Sequence, residues 1–278
     1  MQEKEVRARI KEAIDNVRKN VPLVPSMTNI VTVSYVADAQ LAVGASAAMV
    51  NLPDEGEKLA SISNAFYFNL GTFSTELATT ISRTIRVLKN EKKNWVLDPV
   101  GIGMGGLRTD TLMMLREFPP QIIRGNASEI IALANLWGLH TGTAAADIKG
   151  VDSTADTKSA RQSAILLAQH IKGAVAVSGD VDLITDGKVV YWVAGGSELF
   201  TKIAGSGCAL GGVIAAYAAV DCDPLIAALT GSVVFKTAGI RAAKQADSPA
   251  SFKIAFLDEL YRLAANDAIT MPFVEEDA

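Results

Sequence analysis

Apolar positions alternate between two spacings along this chain. Near the N-terminus Val6, Ile10, Ile14 and Val17 recur at three- and four-residue intervals, the stripe of an amphipathic helix. Short apolar, β-rich runs follow at Ala47–Val50, Ala65–Leu70, Asn94–Leu97, Gln121–Ile123, Ala174–Val177, Leu183–Thr185 and Val189–Val193. Between the early runs lie helical patterns at roughly 54–64, 74–90, 108–117, 126–135 and 155–171. Strands separated by helices of this length predict βαβ units and a mostly parallel sheet. Asp186-Gly187, between two β-rich runs, is a hairpin signal and predicts a local antiparallel edge. From Gly205 onward the pattern predicts helices only, at roughly 206–221, 223–246 and 249–266. No linker, low-complexity tract or internal repeat interrupts the chain, so residues 1–278 read as a single α/β domain, helix-rich at its C-terminal end. In open sheets of this kind ligands bind beyond the carboxyl ends of the strands.

Composition narrows the function classes. With 49% hydrophobic and 20% charged residues, 278 residues can bury a full core without disulfides. A net charge of −4 with no basic run lacks the footprint of a nucleic-acid binder. Cys208 and Cys222 form neither a metal comb nor a disulfide scaffold, and His140 and His170 read as surface or loop residues. The start of the chain, Met-Gln-Glu-Lys-Glu-Val, is charged and has no apolar signal core. Ile203–Val220 carries no formal charge but is rich in Gly and Ala, the signature of a core helix rather than a membrane span. The chain reads as a soluble, cytoplasmic protein of a reducing compartment.

Candidate chemistry sits at the ends of the predicted strands. Ile203-Ala-Gly-Ser-Gly-Cys208 turns straight into an alanine-rich helix. Gly205, Ser206 and Gly207 offer bare N–H groups to the positive end of the helix dipole, an anion hole suited to phosphate. Cys208 lies in the first turn, where the same field would favour a thiolate. Asp98 ends a strand before Pro99-Val-Gly-Ile-Gly103; it either binds Mg²⁺ or simply starts a turn. The spacing Gly101-x-Gly103-x-x-Gly106 satisfies a dinucleotide fingerprint, but it follows a late strand where that fingerprint belongs on the first. In Arg124-Gly-Asn126-Ala-Ser-Glu129, Asn126 and Glu129 have the spacing of a capping box, while Arg124 could clamp phosphate and Glu129 hold the water shell of a metal. The hydroxyl of Ser178, in Ser-Gly-Asp180, can bond a phosphate oxygen or belong to a common turn. Asp152-Ser153 reads as a helix start.

Four pieces in fixed order, Asp98-Pro-Val-Gly101, Arg124-Gly-Asn-Ala-Ser-Glu129, Gly150-Val-Asp-Ser153 and Gly205-Ser-Gly-Cys208, carry a family resemblance. Pro22-Leu-Val, Thr28-Asn29 and Gly44-Ala-Ser before Met49 extend it upstream. From about residue 20 to about 240 the chain resembles hydroxyethylthiazole kinases of the ribokinase-like superfamily. That resemblance implies a three-layer α/β/α sandwich, a homotrimer with the thiazole site between subunits, and phosphoryl transfer from ATP to 4-methyl-5-(2-hydroxyethyl)thiazole in thiamine salvage. It implies ATP contacts at Arg124, Ser178 and Asn126, thiazole contacts at Met49 and Gly205, and Mg²⁺ near Glu129 and Asp98. Cys208 stands where most of the superfamily has a catalytic Asp. The Met49 assignment rests on the resemblance alone; its plain alternative is a core residue on a strand.

Departures from the family pattern gather on the acceptor side: Pro25, Ser34, Asp38, Ala47, Ala204, and Met104-Gly105-Gly106 in the loop after Asp98. The alternatives are a kinase for another heterocyclic alcohol, a nucleotide-dependent dehydratase of hydrated nicotinamide cofactors, and a binding-only descendant.

Overall fold

The computed structural model describes residues 1–139, 156–220 and 223–278. His140, Lys149, Gly150, Asp152, Ser153 and Cys222 lie outside them. Helix α1 (Glu3–Asn20) buries Val6, Ile10, Ile14 and Val17, the stripe read from its spacing. The chain then alternates β1 (Leu23–Met27), α2 (Val33–Ala42), β2 (Ser46–Met49), α3 (Pro53–Ile62), β3 (Ala65–Asn69), α4 (Thr75–Asn90), β4 (Asn94–Asp98), α5 (Gly106–Glu117), β5 (Ile122–Asn126) and α6 (Ala127–Leu136). Further on come α7 (Arg161–Ile171), β6 (Ala174–Ser178), β7 (Val181–Thr185), β8 (Val189–Ala194), α8 (Ser206–Ala218), α9 (Pro224–Ala243), α10 (Pro249–Arg262), α11 (Ala265–Ala268) and β9 (Val274–Asp277).

Among the described residues the strands form one nine-stranded sheet in the order β2-β1-β3-β4-β5-β6-β7-β8-β9. Pairings from β2 to β6 are parallel and those from β6 to β9 antiparallel. Alternating side chains send one apolar layer to each face. Tyr67, Val96, Ile122 and Ala174 pack beneath α1, α2 and α8–α11, whereas Phe66, Phe68, Leu97 and Ile123 pack beneath α3–α7. The result is a three-layer α/β/α sandwich with a parallel centre. The chain runs from β1 outward to β2 and then returns to the other side of β1 as β3, so the strand order reverses there. A crevice at such a reversal, beyond the carboxyl ends, is where open sheets take ligands.

Three elements differ from the sequence reading. Strand β1 escapes it because Pro25 interrupts the run and removes a backbone donor. Helix α2 escapes it because polar and apolar positions contrast weakly there; it buries only Tyr35, Val36, Ala39 and Gln40. The expectation of helices only after Gly205 is corrected by β9, whose residues are all exposed and which forms only because β8 supplies an edge. Helix α9 is long and apolar enough to cross a membrane by length and composition, but 89% of that window is buried inside the fold. It is a core helix.

Candidate active site

The site is assembled where consecutive parallel strands end. Asn29 follows β1, Asn69 closes β3, Asp98 closes β4, Arg124 lies in β5 and Ser178 closes β6. The pleat sends Tyr67, Asn69, Asp98, Arg124 and Ser178 to the face covered by α8, because they share parity with the apolar residues packed there. Their polar ends join in one hydrogen-bonded chain. Asp98 Oδ2 accepts from Tyr67 Oη, Asn69 Nδ2 and Arg124 Nη1, each at 2.8 Å. Arg124 Nη2 donates to Ser178 Oγ at 2.7 Å. At the other end Asn69 Nδ2 and Asn29 Nδ2 donate to Cys208 Sγ at 3.2 and 3.4 Å.

Over this chain lies the first turn of α8. Gly205 adopts φ +86°, a conformation that side chains rarely allow, and a Cβ there would run into the Thr32 side chain. A Cβ on Gly207 would come within 2.7 Å of Arg124 Nη2. Both glycines are therefore required by close approach: Gly205 by α2, Gly207 by the guanidinium. Ser206 Oγ donates back to the Phe200 and Ile203 carbonyls, which fixes the entry to the helix.

The capping box is present: Glu129 N–H donates to Asn126 Oδ1 at 2.9 Å and Asn126 N–H to Glu129 Oε2 at 2.8 Å. It aims a buried carboxylate at the edge of the cluster. Burial and the Asp98 carboxylate push Glu129 up to about 7, against the opposing pull of Arg124 and of the Asn126 and Gly101 backbone. Burial alone would lower Arg124, but Asp98, Tyr67 and Glu129 outweigh it and raise the guanidinium, which stays charged. The Tyr67 hydroxyl is driven far up by burial and by Asp98, so it remains a donor.

One expectation is corrected. The helix dipole suggested a thiolate at Cys208, but burial and then the Asp98 carboxylate raise its pKa, against Arg124, Thr32 and Asn69. Cys208 rests as a thiol. Its position in the sequence showed the helix terminus but not the carboxylate beneath it.

Of the residues singled out from the sequence, the structure brings Asp98, Arg124, Ser178, Gly207 and Cys208 together, with Gly205 and Ser206 in the same turn. Asn126 and Glu129 adjoin them through α6. Met49 shares the carboxyl edge of the sheet, in register with Ser26 of β1, but sits on the edge strand. Asn69, Tyr67 and Thr32 were missed; the one available signal was a Tyr and an Asn inside the apolar run of Ala65–Leu70. Beside Ser178 opens a groove of about 860 Å³, lined in part by Lys158, Arg161, Trp192 and the first residue of β9.

Comparison with known proteins gives a consistent result. The model of the hydroxyethylthiazole kinase family matches residues 14–266. A hydroxyethylthiazole kinase of Bifidobacterium longum is 44% identical over 94% of this chain and 88% of its own. The solved hydroxyethylthiazole kinase protein of Pyrococcus horikoshii superposes with a TM-score of 0.85 at 30% identity, covering 97% of this chain and 98% of that one. A pyridoxal kinase from Staphylococcus aureus, solved in complex with ADP, shares the fold at a TM-score of 0.58 and 15% identity over 80% of this chain and 88% of its own. The sandwich is thus of the ribokinase-like type.

Proposed function

The chain belongs to the hydroxyethylthiazole kinase family and is a phosphotransferase, and from that premise we propose that it moves the terminal phosphoryl group of ATP to the primary hydroxyl of 4-methyl-5-(2-hydroxyethyl)thiazole. The observation that carries this reading is Arg124, a buried cation that donates to Ser178 Oγ and lies so near Gly207 that a Cβ there would come within 2.7 Å of its Nη2. Phosphoryl transfer needs positioning and charge neutralisation more than covalent chemistry. In this reading the N–H groups of Gly205 to Cys208 hold the migrating phosphoryl group as charge spreads over its oxygens. Arg124 and Ser178 bind the donor phosphates, Asn126 fixes Glu129 beside them, and the groove past Ser178 takes the rest of the nucleotide.

Mg²⁺ fits the residues present. Among the described residues Asp98 Oδ1 is buried without a hydrogen-bond partner, and the raised pKa of Glu129 marks a carboxylate short of positive charge. Among the described residues no group of three His, Cys, Asp or Glu forms a cage, so an ion here would rest on one or two carboxylates and on substrate phosphates. Asp98 and Glu129 would hold it, and when bound it supplies charge neutralisation on the donor phosphates.

The ionisation of Glu129 opposes folding, because its folded pKa lies above its unfolded value. The stability it permits is full below about pH 4.3 and declines as pH rises through about 7. A cation beside it reverses that penalty. At limiting Mg²⁺, kcat/KM for ATP is expected to rise with pH through about 7. Saturating Mg²⁺ should move the midpoint lower, and Glu129→Gln should flatten the profile. Profiles at two Mg²⁺ concentrations that coincide would contradict the assignment.

Cys208 serves the acceptor end as an orienting thiol held by Asn29 and Asn69. A loose transition state needs little deprotonation beforehand, so the hydroxyl proton leaves late, with the transferred phosphoryl oxygens. Cys208→Ala is expected to lower kcat by about 10–100-fold while KM for ATP stays within about twofold. Steady-state kinetics check this; loss of ATP binding would reject the role.

Gly205 and Met49 contact the thiazole, in a site completed by a neighbouring subunit of a homotrimer. Ile30 and Val31 support that arrangement, since they follow Asn29 directly and are 79% and 68% exposed. One unbroken sheet from β1 to β9 supports a single kinase domain, and consumption of ATP supports a cytoplasmic role supplying thiazole phosphate for thiamine. The decisive measurement is ADP formation from Mg-ATP with and without the thiazole alcohol, with the product weighed by mass spectrometry and the assembly by light scattering. Thiazole-dependent ADP matched by thiazole phosphate is expected; ATP binding without stimulation would move the acceptor elsewhere.

A further inference from the structure

Lys236 lies inside helix α9, far in sequence from every motif above, and is 6% exposed. Its Nζ donates to the carbonyls of Gly179 at 2.5 Å and Asp180 at 2.9 Å, and pairs with Asp182 Oδ1 at 3.2 Å. Asp182 Oδ1 also accepts from the Gly179 N–H at 3.0 Å. An ammonium has three donors, and these contacts use all of them. The turn so gripped follows Ser178, whose hydroxyl accepts from Arg124. The aliphatic stem of the same lysine packs on Gly196, where a Cβ would stand 3.1 Å from its Cδ. Gly196 begins the segment that leads through residues 198–202 to the Gly205 turn. A buried ion pair seldom adds stability over apolar packing of the same volume; what this one adds is the geometry of two loops that converge on one site.

We infer that Lys236 is a positioning residue for nucleotide binding: with Asp182 it clamps the Ser178–Asp180 turn so that the Ser178 hydroxyl and the floor of the adjoining groove are held ready for ATP. The inference rests on the nucleotide reading of Arg124 and Ser178. It differs from a merely structural role in affecting one substrate and not the other.

The test uses the full chain with Lys236→Met, and with Lys236→Met/Asp182→Asn, which removes the charge from both partners and leaves no lone buried ion. Amide hydrogen exchange of residues 179–182 without ligand is read beside the separate KM values and kcat. In the double variant the exchange of these amides is expected to quicken about tenfold and KM for ATP to rise about tenfold, the loss of one charge-assisted contact, with acceptor KM within about twofold. A folded double variant with the KM for ATP of the unmodified protein would overturn the inference. Equal rises in both KM values would overturn it too, since they mark general loosening. If the unmodified protein shows no saturable dependence on ATP, the nucleotide reading falls and takes this role with it. That result differs from failure of the clamp alone, in which the unmodified protein saturates and the variant matches it.

Discussion

Arg124→Ala is expected to lower kcat/KM for ATP by about 10³ and to cost about 3–5 kcal/mol of stability. Both effects come from one buried pair. Asp98 is fully buried and Arg124 Nη1 is its cationic partner at 2.8 Å. Truncation strands a carboxylate that keeps only the neutral donors Tyr67 and Asn69. It also removes the donor to Ser178 Oγ, which keeps only its bond to the Gly125 carbonyl among the described residues, and opens space under Gly207. Arg124→Lys should fall between, because a point charge cannot reach Asp98 and Ser178 with separate arms. Arg124→Ala/Asp98→Ala should recover much of the stability but none of the activity. Urea unfolding and steady-state kinetics on the three variants separate these effects. A destabilised Arg124→Ala that retained full turnover would reduce the pair to a structural ion pair.

Gly205→Ala is expected to remain folded but to lose at least about 10² in turnover, the scale of one misdirected oxyanion donor. The new Cβ meets a positive φ and the Thr32 side chain together, so the turn must move, and the N–H groups of the first turn of α8 lose their common aim. Thr32→Ala on the same background should restore activity only in part, because the Thr32 Cβ itself lies 2.7 Å away. Gly138→Ala is the control: Gly138 also has positive φ, +72°, but a Cβ there meets nothing within 4 Å among the described residues. That variant should cost about 1 kcal/mol and leave turnover intact. Equal losses at positions 205 and 138 would show that backbone strain, not the aim of the turn, governs the effect.

These two positions illustrate what a linear reading can reach. The Gly-Ser-Gly-Cys turn and the Asn126–Glu129 box were legible because caps and turns are local, set within three or four residues. The central strands were legible because both their faces are buried, leaving unbroken apolar runs. By contrast the partners of Cys208 come from residues 29 and 69, and nothing nearby announces them. Lys236 reads as a charge amid the apolar residues of a helix until the fold sets it beneath the turn after β6. Strand β9 has an all-exposed Val-Glu-Glu-Asp sequence that pairing with β8 overrides. The thiolate expectation failed for the same reason, since a desolvated carboxylate beside the sulfur is a property of the assembled site.

The hydrogen-bonded chain from Cys208 through Asn69, Asp98 and Arg124 to Ser178 has a consequence for how such a protein can change over evolutionary time. Every member shares a partner with its neighbour, so the five side chains constrain one another's placement. Ser34, Asp38 and Ala204, positions expected to depart from the family's pattern, are all exposed and lie outside the series. Pro25 is buried in β1 and Ala47 lies in the edge strand β2, and neither belongs to the series. None of these positions belongs to the series, so a change at any of them would leave its hydrogen bonds in place.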